Sequence, residues 1–185
     1  MNYSAWNNGI RVTHTSGNSF ILELTDINMG NIYIADGDWT VVLNGENYLD
    51  GKGTYASGIA FWVHGGSATI IEGNGAASLN VNADFRKNGS CGIEVETNLT
   101  INSGNITSYA KAGSSSGGST GAIYVTKNGT LNIAGGSVTA TGEGKYGLSA
   151  YGMINMTGGN FKVVGVNKVG VDHEANSTFT FSGGT

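Results

Sequence analysis

The chain contains no proline, only one cysteine among 185 residues, and charged side chains at only 12% of positions. Each shortage removes a class of protein. A single thiol, Cys91, excludes a disulfide framework within the chain, and it reads as a small buried hydrophobe. A net charge of −4 with no Lys/Arg stripe argues against a nucleic-acid partner. No apolar run approaches the roughly 20 residues of a membrane span, and the start, Met1-Asn2-Tyr3-Ser4, lacks the basic-then-apolar pattern of a signal peptide. Catalytic signatures are missing too. No Ser-His-Asp set, no HExxH and no phosphate-cradling loop can be drawn, and His14, His64 and His173 stand apart with no ligand spacing. Threonine ladders of the kind ice binding needs are absent, since Thr13 and Thr126 are too sparse.

What is present is glycine, 32 residues of it, among alternating Ile, Val, Leu, Thr and Asn. Hydrophobic residues make up 39% of the chain at regular spacing, so it folds rather than staying disordered. One phrase keeps returning: Gly9-Ile10-Arg11-Val12, Asn31-Ile32-Tyr33-Ile34, Gly58-Ile59-Ala60-Phe61 and Gly92-Ile93-Glu94-Val95. It continues as Ala122-Ile123-Tyr124-Val125, Gly147-Leu148-Ser149-Ala150 and Gly170-Val171-Asp172-His173, at intervals of about 22 to 34 residues. A second phrase runs Leu131-Asn132-Ile133-Ala134-Gly135-Gly136-Ser137-Val138-Thr139 and recurs from Leu99, Ile154 and Phe179. Repeats of this length mean stacked coils. Helices are excluded by the apolar spacing of two and by a glycine density that would cost roughly 1 kcal/mol at each helix-interior position. A sandwich or barrel fits the strand count but does not require repeated phrases.

The expected fold is therefore all-β, a right-handed single-stranded parallel β-helix of about seven coils spanning residues 1–185 as one domain. One coil reads as Ala122–Val125, a turn at Lys127-Asn128-Gly129, Thr130–Ile133, a corner at Gly135-Gly136, Ser137–Thr141 and a glycine-rich return. Period-2 alternation places three stacks inside. The first is Ile93, Val95, Ile123, Val125, Leu148 and Val171; the second is Ile101, Ile133, Met156 and Phe181; the third is Ile106, Val138 and Phe161. Residues 110–120 and 82–90 read as corner insertions, and Asn47 and Asn74 as turn residues able to satisfy buried backbone. The last repeat stops before its second strand, which reads as a piece of a longer polypeptide.

On the outward side of the first strand, one column reads Arg11, Tyr33, Ala60, Glu94, Tyr124, Ser149, Asp172. The other reads Thr13, Ala35, Glu96, Thr126, Tyr151, Glu174, with Trp62 in a bulged copy of the strand. Tyr124 and Tyr151 beside Glu94 and Glu96 form a candidate sugar platform, in which rings stack on a pyranose and acids grip its hydroxyls. Glu94 with Glu96, and Asp172 with Glu174, stand two residues apart, roughly 7 Å, inside the spacing of an inverting glycosidase pair. Neither pair has a flanking Arg, Lys or outward His, and His173 points to the other face, so a solvated acidic strip is the simpler account. Asp36-Gly37-Asp38, with Asp26 or Asp50, is a weak Ca²⁺ candidate that reads equally as a turn. The seven Asn-x-Ser/Thr sequons follow from the turn and strand composition.

Three stretches carry a family resemblance. They are Trp39-Thr40-Val41-Val42-Leu43-Asn44-Gly45-Glu46-Asn47, Ala68-Thr69-Ile70-Ile71-Glu72-Gly73-Asn74-Gly75 and the phrase at 131–141. These resemble bacterial surface proteins of Gram-positive gut organisms, described as β-helix repeat or carbohydrate-binding-domain-containing proteins, and more widely the pectin-lyase-like β-helices. The resemblance implies a secreted, cell-surface module joined to the rest of its parent polypeptide, with a glycan or a host surface protein as partner. The expected role is a non-enzymatic stalk or adhesin, the alternatives being a carbohydrate-binding module or a polysaccharide-cleaving β-helix enzyme. Fold alone does not choose among them.

Overall fold

The computed structural model describes residues 4–51, 58–84, 91–111, 121–167 and 169–185. Among these residues every regular element is a strand and there is no helix. The chain opens with β1 (Ser4–Asn7) and β2 (Ile10–Ser16), an antiparallel hairpin turned at Asn8-Gly9, where both residues have positive φ (45° and 84°). That is the backbone a two-residue hairpin needs. Strand β3 (Ser19–Thr25) pairs antiparallel with β2 and starts the repeating part.

From β3 onward the chain visits three sheets, A, B and C, in fixed order. The first circuit is β3, β4 (Asn28–Met29) and β5 (Ile32–Ile34). The next two are β6 (Asp38–Asn44), β7 (Glu46–Asp50), β8 (Phe61–Val63), then β9 (Ser67–Glu72), β10 (Ser78–Asp84), β11 (Ile93–Val95). They are followed by β12 (Asn98–Ile101), β13 (Asn105–Lys111), β14 (Gly121–Val125), and β15 (Thr130–Ile133), β16 (Ser137–Glu143), β17 (Tyr146–Ala150). Then come β18 (Met153–Met156), β19 (Asn160–Val166), β20 (Val171–His173), and β21 (Thr178–Phe181) returns to sheet A. Within the repeating part each strand pairs in parallel with its counterpart one circuit away.

The registers explain why this sequence builds these sheets. On sheet A, Leu22, Val41, Ile70, Ile101, Ile133, Met156 and Phe181 are successive partners. On sheet C the ladder is Ile32, Phe61, Ile93, Ile123, Leu148, Val171. Apart from their last members, Phe181 and Val171, both belong to one core cluster shared by all three sheets, where Ile70, Ile93, Ile101 and Phe61 are fully buried. Each such side chain contributes roughly 1.5–3 kcal/mol of burial. Phe181 holds its place in the sheet A ladder but is 63% exposed, because β21 is the sheet's outermost strand. Val171, the last of the sheet C ladder, is exposed for the same reason.

The A-to-B corner needs glycine for two reasons. Gly136, Gly159 and Gly184 stack there with φ of 73°, 76° and 86°. A Cβ on Gly136 would also lie 2.5 Å from the Gly104 carbonyl oxygen. Polar side chains point inward from sheet B at Ser108, whose hydroxyl donates to the Ala122 carbonyl at 2.7 Å, and at Asn47. Asn47 precedes Leu79, Ile106, Val138 and Phe161 in their ladder and is fully buried. Its Oδ1 accepts from the Ile27 N–H at 3.2 Å, and its Nδ2 donates to the Asn44 and Ser78 carbonyls at 3.2 and 3.1 Å. Asn74 takes a lesser part, its N–H donating to Asn44 Oδ1 at 3.1 Å.

Two sequence expectations are corrected. The phrase at Gly9 to Val12 is not a sheet C strand: Arg11 and Thr13 lie in the hairpin, where Arg11 pairs with Glu23 at 3.2 Å. The Asn8-Gly9 turn reverses the chain before it can enter a parallel circuit. The anchor in the third phrase is also displaced by two residues. Phe61, not Ile59, partners Ile93, so Trp62 sits in an unbulged strand opposite Glu94, and Ala60 is buried. Of the two expected insertions, residues 112–120 and 85–90 lie outside the described residues.

Candidate functional site

The outward side of sheet C gathers most of the singled-out side chains. Its central column is Tyr33, Trp62, Glu94, Tyr124, Ser149, Asp172, set by the strand registers. The residues that follow each short strand form a second column: His64, Glu96, Thr126, Tyr151, Glu174. Each donates its N–H to the strand before, as Glu96 does to Val63 and Tyr151 to Val125. Neighbouring strands lie about 4.8 Å apart, so the six-stranded strip runs roughly 24 Å.

Side chains along the strip touch in sequence. Tyr33 packs on Trp62 with centroids 4.8 Å apart and on His64 at 5.7 Å, and Trp62 meets His64 edge-on at 5.1 Å. The Trp62 indole Nε1–H donates to Glu96 Oε1 at 2.7 Å, and His64 Nδ1 lies 3.0 Å from Glu96 Oε2, an ion pair when the imidazole is protonated. The Cys91 thiol donates to Glu94 Oε2 at 3.5 Å, and Glu96 lies near the same carboxyl. Tyr124 and Tyr151 meet edge-to-face with centroids 5.6 Å apart, and the Tyr151 hydroxyl donates to Asp172 at 3.4 Å.

The electrostatics follow from this packing. Burial is the main cause that pushes the Glu94 carboxyl up to about 7, assisted by the charge of Glu96 and opposed by Cys91 and His64. Near neutral pH, Glu94 is thus about half protonated and able to donate as well as accept. Burial and the nearby Glu94 also raise the Tyr124 hydroxyl. Cys91 is buried, and burial with Glu94 raises its thiol well above the ordinary range, against a lowering by nearby Lys145. Lys145 is itself buried at 5% exposure.

Glu94, Glu96, Tyr124 and Tyr151 are thus brought onto one strip, but not as a flat platform. The two rings are perpendicular, at 88°, so they form a corner. Among the strip's Tyr and Trp rings the most exposed is Tyr33 at 44%. Glu94 and Glu96 stand close enough to interact, the charge of Glu96 helping to raise the Glu94 carboxyl. The neighbouring strand does carry an outward histidine, His64, contrary to expectation. Sequence reasoning missed it because the displaced anchor moved it out of the column, and it missed Lys145 because a lone lysine in a turn gives no signal.

The calcium candidates make protein contacts in the described residues. Asp38 Oδ1 accepts from the Ser67 hydroxyl at 2.7 Å, Asp26 Oδ1 accepts from the Glu46 N–H at 2.9 Å, and the Asp36 carbonyl accepts from the Trp39 indole at 2.8 Å. Among the described residues, no three His, Cys, Asp or Glu side chains gather as a metal-binding group. Comparison with protein-family models, curated proteins and solved structures finds no match.

Proposed function

We propose that the three sheets close around their common core as a right-handed, single-stranded parallel β-helix of six circuits and the first strand of a seventh. The fixed order of visits and the shared core cluster support closure. The hand follows from the strong preference of parallel crossovers. On this scaffold we infer a non-enzymatic module of a bacterial cell-surface protein, lying outside the cell and displaying one carbohydrate-binding strip. The surface location rests on the resemblance carried by the repeat phrases.

One observation carries the binding role: Tyr33, Trp62, His64, Tyr124 and Tyr151 cluster with Glu94, Glu96 and Asp172 on the outward side of one sheet. Rings stack on the apolar faces of sugars while carboxylates accept from hydroxyls. Strand registers hold the groups at fixed spacing, so little ordering entropy is lost on binding. The test is a glycan array with the purified chain, with and without Ca²⁺, beside a Tyr33→Ala variant and a Tyr124→Ala/Tyr151→Ala double variant. Saturable binding, lost in the variants, supports the strip. Silence across the array rejects it and leaves a stalk or a protein-binding adhesin.

A second reading, polysaccharide cleavage, draws on a half-neutral Glu94 beside Glu96 and His64, the pattern of an acid paired with a base. Release of reducing ends from polysaccharide, abolished by Glu94→Gln, would favour it; no release would reject it.

A further inference from the structure

Sheet B holds a separate site on another side of the molecule. A groove of about 310 Å³ opens on its outward face, lined by Asn28, Tyr48, Asp50, Asn82, Thr107 and Tyr109 among others. Two rows of partners build it. Asp50, Asn82 and Tyr109 stand side by side on β7, β10 and β13, about 4.8 Å apart. Two residues earlier, Asn28, Tyr48, Asn80 and Thr107 form the facing row.

The groove offers electrons and accepting atoms. Both tyrosine hydroxyls donate to carboxylates, Tyr48 to Glu46 at 3.0 Å and Tyr109 to Glu143, which enriches the rings of these two lining residues. Thr107 donates to Asn80 Oδ1 at 2.6 Å, so that acceptor is already satisfied. Asn82 Oδ1 is not: among the described residues it is a buried oxygen with no hydrogen-bond partner. Buried acceptors are nearly always paired, so an unpaired one beside a groove calls for a donor from outside. Asp50 adds a formal negative charge one strand away. Among the described residues no Lys, Arg or His lines the groove, and nearby Lys111 is paired with Glu143 at 2.7 Å.

We propose that this groove binds an organic ammonium group, donating N–H to Asn82 Oδ1, facing Asp50, and lying against the Tyr48 and Tyr109 rings. The chemistry fits an amino sugar or an alkylamine equally, and the test separates them.

The intact ¹⁵N-labelled chain would be titrated at low ionic strength and mildly acidic pH with glucosamine, its neutral counterpart glucose, and cadaverine. The expected result is saturable shifts at the Tyr48, Asn82 and Tyr109 amides with the amines and none with glucose. Stronger binding of glucosamine than cadaverine identifies an amino sugar, and the reverse an alkylamine. Tyr48→Leu and Asp50→Asn, both judged folded by their spectra, should each weaken binding about 2- to 30-fold. Equal binding of glucose, shifts confined to sheet C, or binding unchanged in both variants would overturn the proposal.

Discussion

The Trp62 indole donates to Glu96 Oε1 at 2.7 Å, joining two strands whose residues lie 34 positions apart. The same carboxylate meets His64 at 3.0 Å, so one acid ties two aromatic side chains of the preceding circuit. Glu96→Ala removes both contacts and leaves a half-buried N–H to water. The expected loss is about 1–2 kcal/mol in urea denaturation. Tryptophan emission should move to the red in Glu96→Ala, and this change should vanish in a Trp62→Phe background. An unmoved emission spectrum would show that Glu96 does not hold the indole.

Glu94 makes stability depend on pH. Its carboxyl is raised from the ordinary carboxylate range to about 7, mainly by burial, so the folded state holds a proton that the unfolded chain releases. Between about pH 4.5 and pH 7 the folded state binds more protons, and stability must fall as pH rises. The stabilisation is complete below the unfolded value and is lost as pH passes through about 7. With partial exposure discounted, the change amounts to roughly 1–2 kcal/mol. Glu94→Gln should flatten this slope, matching the wild type near pH 5 and exceeding it near pH 8 in thermal unfolding. A variant with an unchanged slope would reject the assignment.

Much of the architecture was legible because the parallel registers follow the repeated phrases. Ile93, Ile123, Leu148 and Val171 are successive partners, as are Ile101, Ile133, Met156 and Phe181. The error at Ile59 has a clear cause. Side chains alternate with period two, so a two-residue displacement keeps Ile59, Phe61 and Trp62 on their expected faces, although Ala60, read as outward, is buried. Ile59 and Phe61 are both buried, and the apolar pattern alone does not choose between them. The column identities depend on that choice, and so the Trp62–His64–Glu96 cluster went unread. The sheet B groove was illegible for another reason: Asp50, Asn82 and Tyr109 share no phrase and meet only through cross-strand register.

Cys91 should be inert in the folded protein. It is fully buried, and burial with Glu94 holds its thiol far above the range in which thiolate forms. Reaction with a thiol reagent at neutral pH should be slow, should quicken with added urea, and should reach free-cysteine rates once the chain unfolds. Rapid labelling of the native chain would mean that the region around β11 opens.

Asn47 is the one side chain of its inward ladder on sheet B that carries hydrogen-bonding groups. Its one amide ties three separate backbone segments, accepting from the N–H of Ile27 and donating to the carbonyls of Asn44 and Ser78, the first of which also accepts from the Asp26 N–H at 3.2 Å. Asn47→Leu keeps the branching and heavy-atom count of the side chain and opens no cavity, so the loss reports chiefly unpaired backbone. Each buried orphan costs about 1–3 kcal/mol, and with partial rearrangement the whole change should destabilise by about 3 kcal/mol. Asn47→Asp should also destabilise, since a carboxylate accepts from Ile27 but has no N–H for the two carbonyls. Urea denaturation of both variants is the check. If leucine at this position were neutral, the amide would be no more than a space-filler, and the turn between β6 and β7 would have to be held by backbone pairing alone.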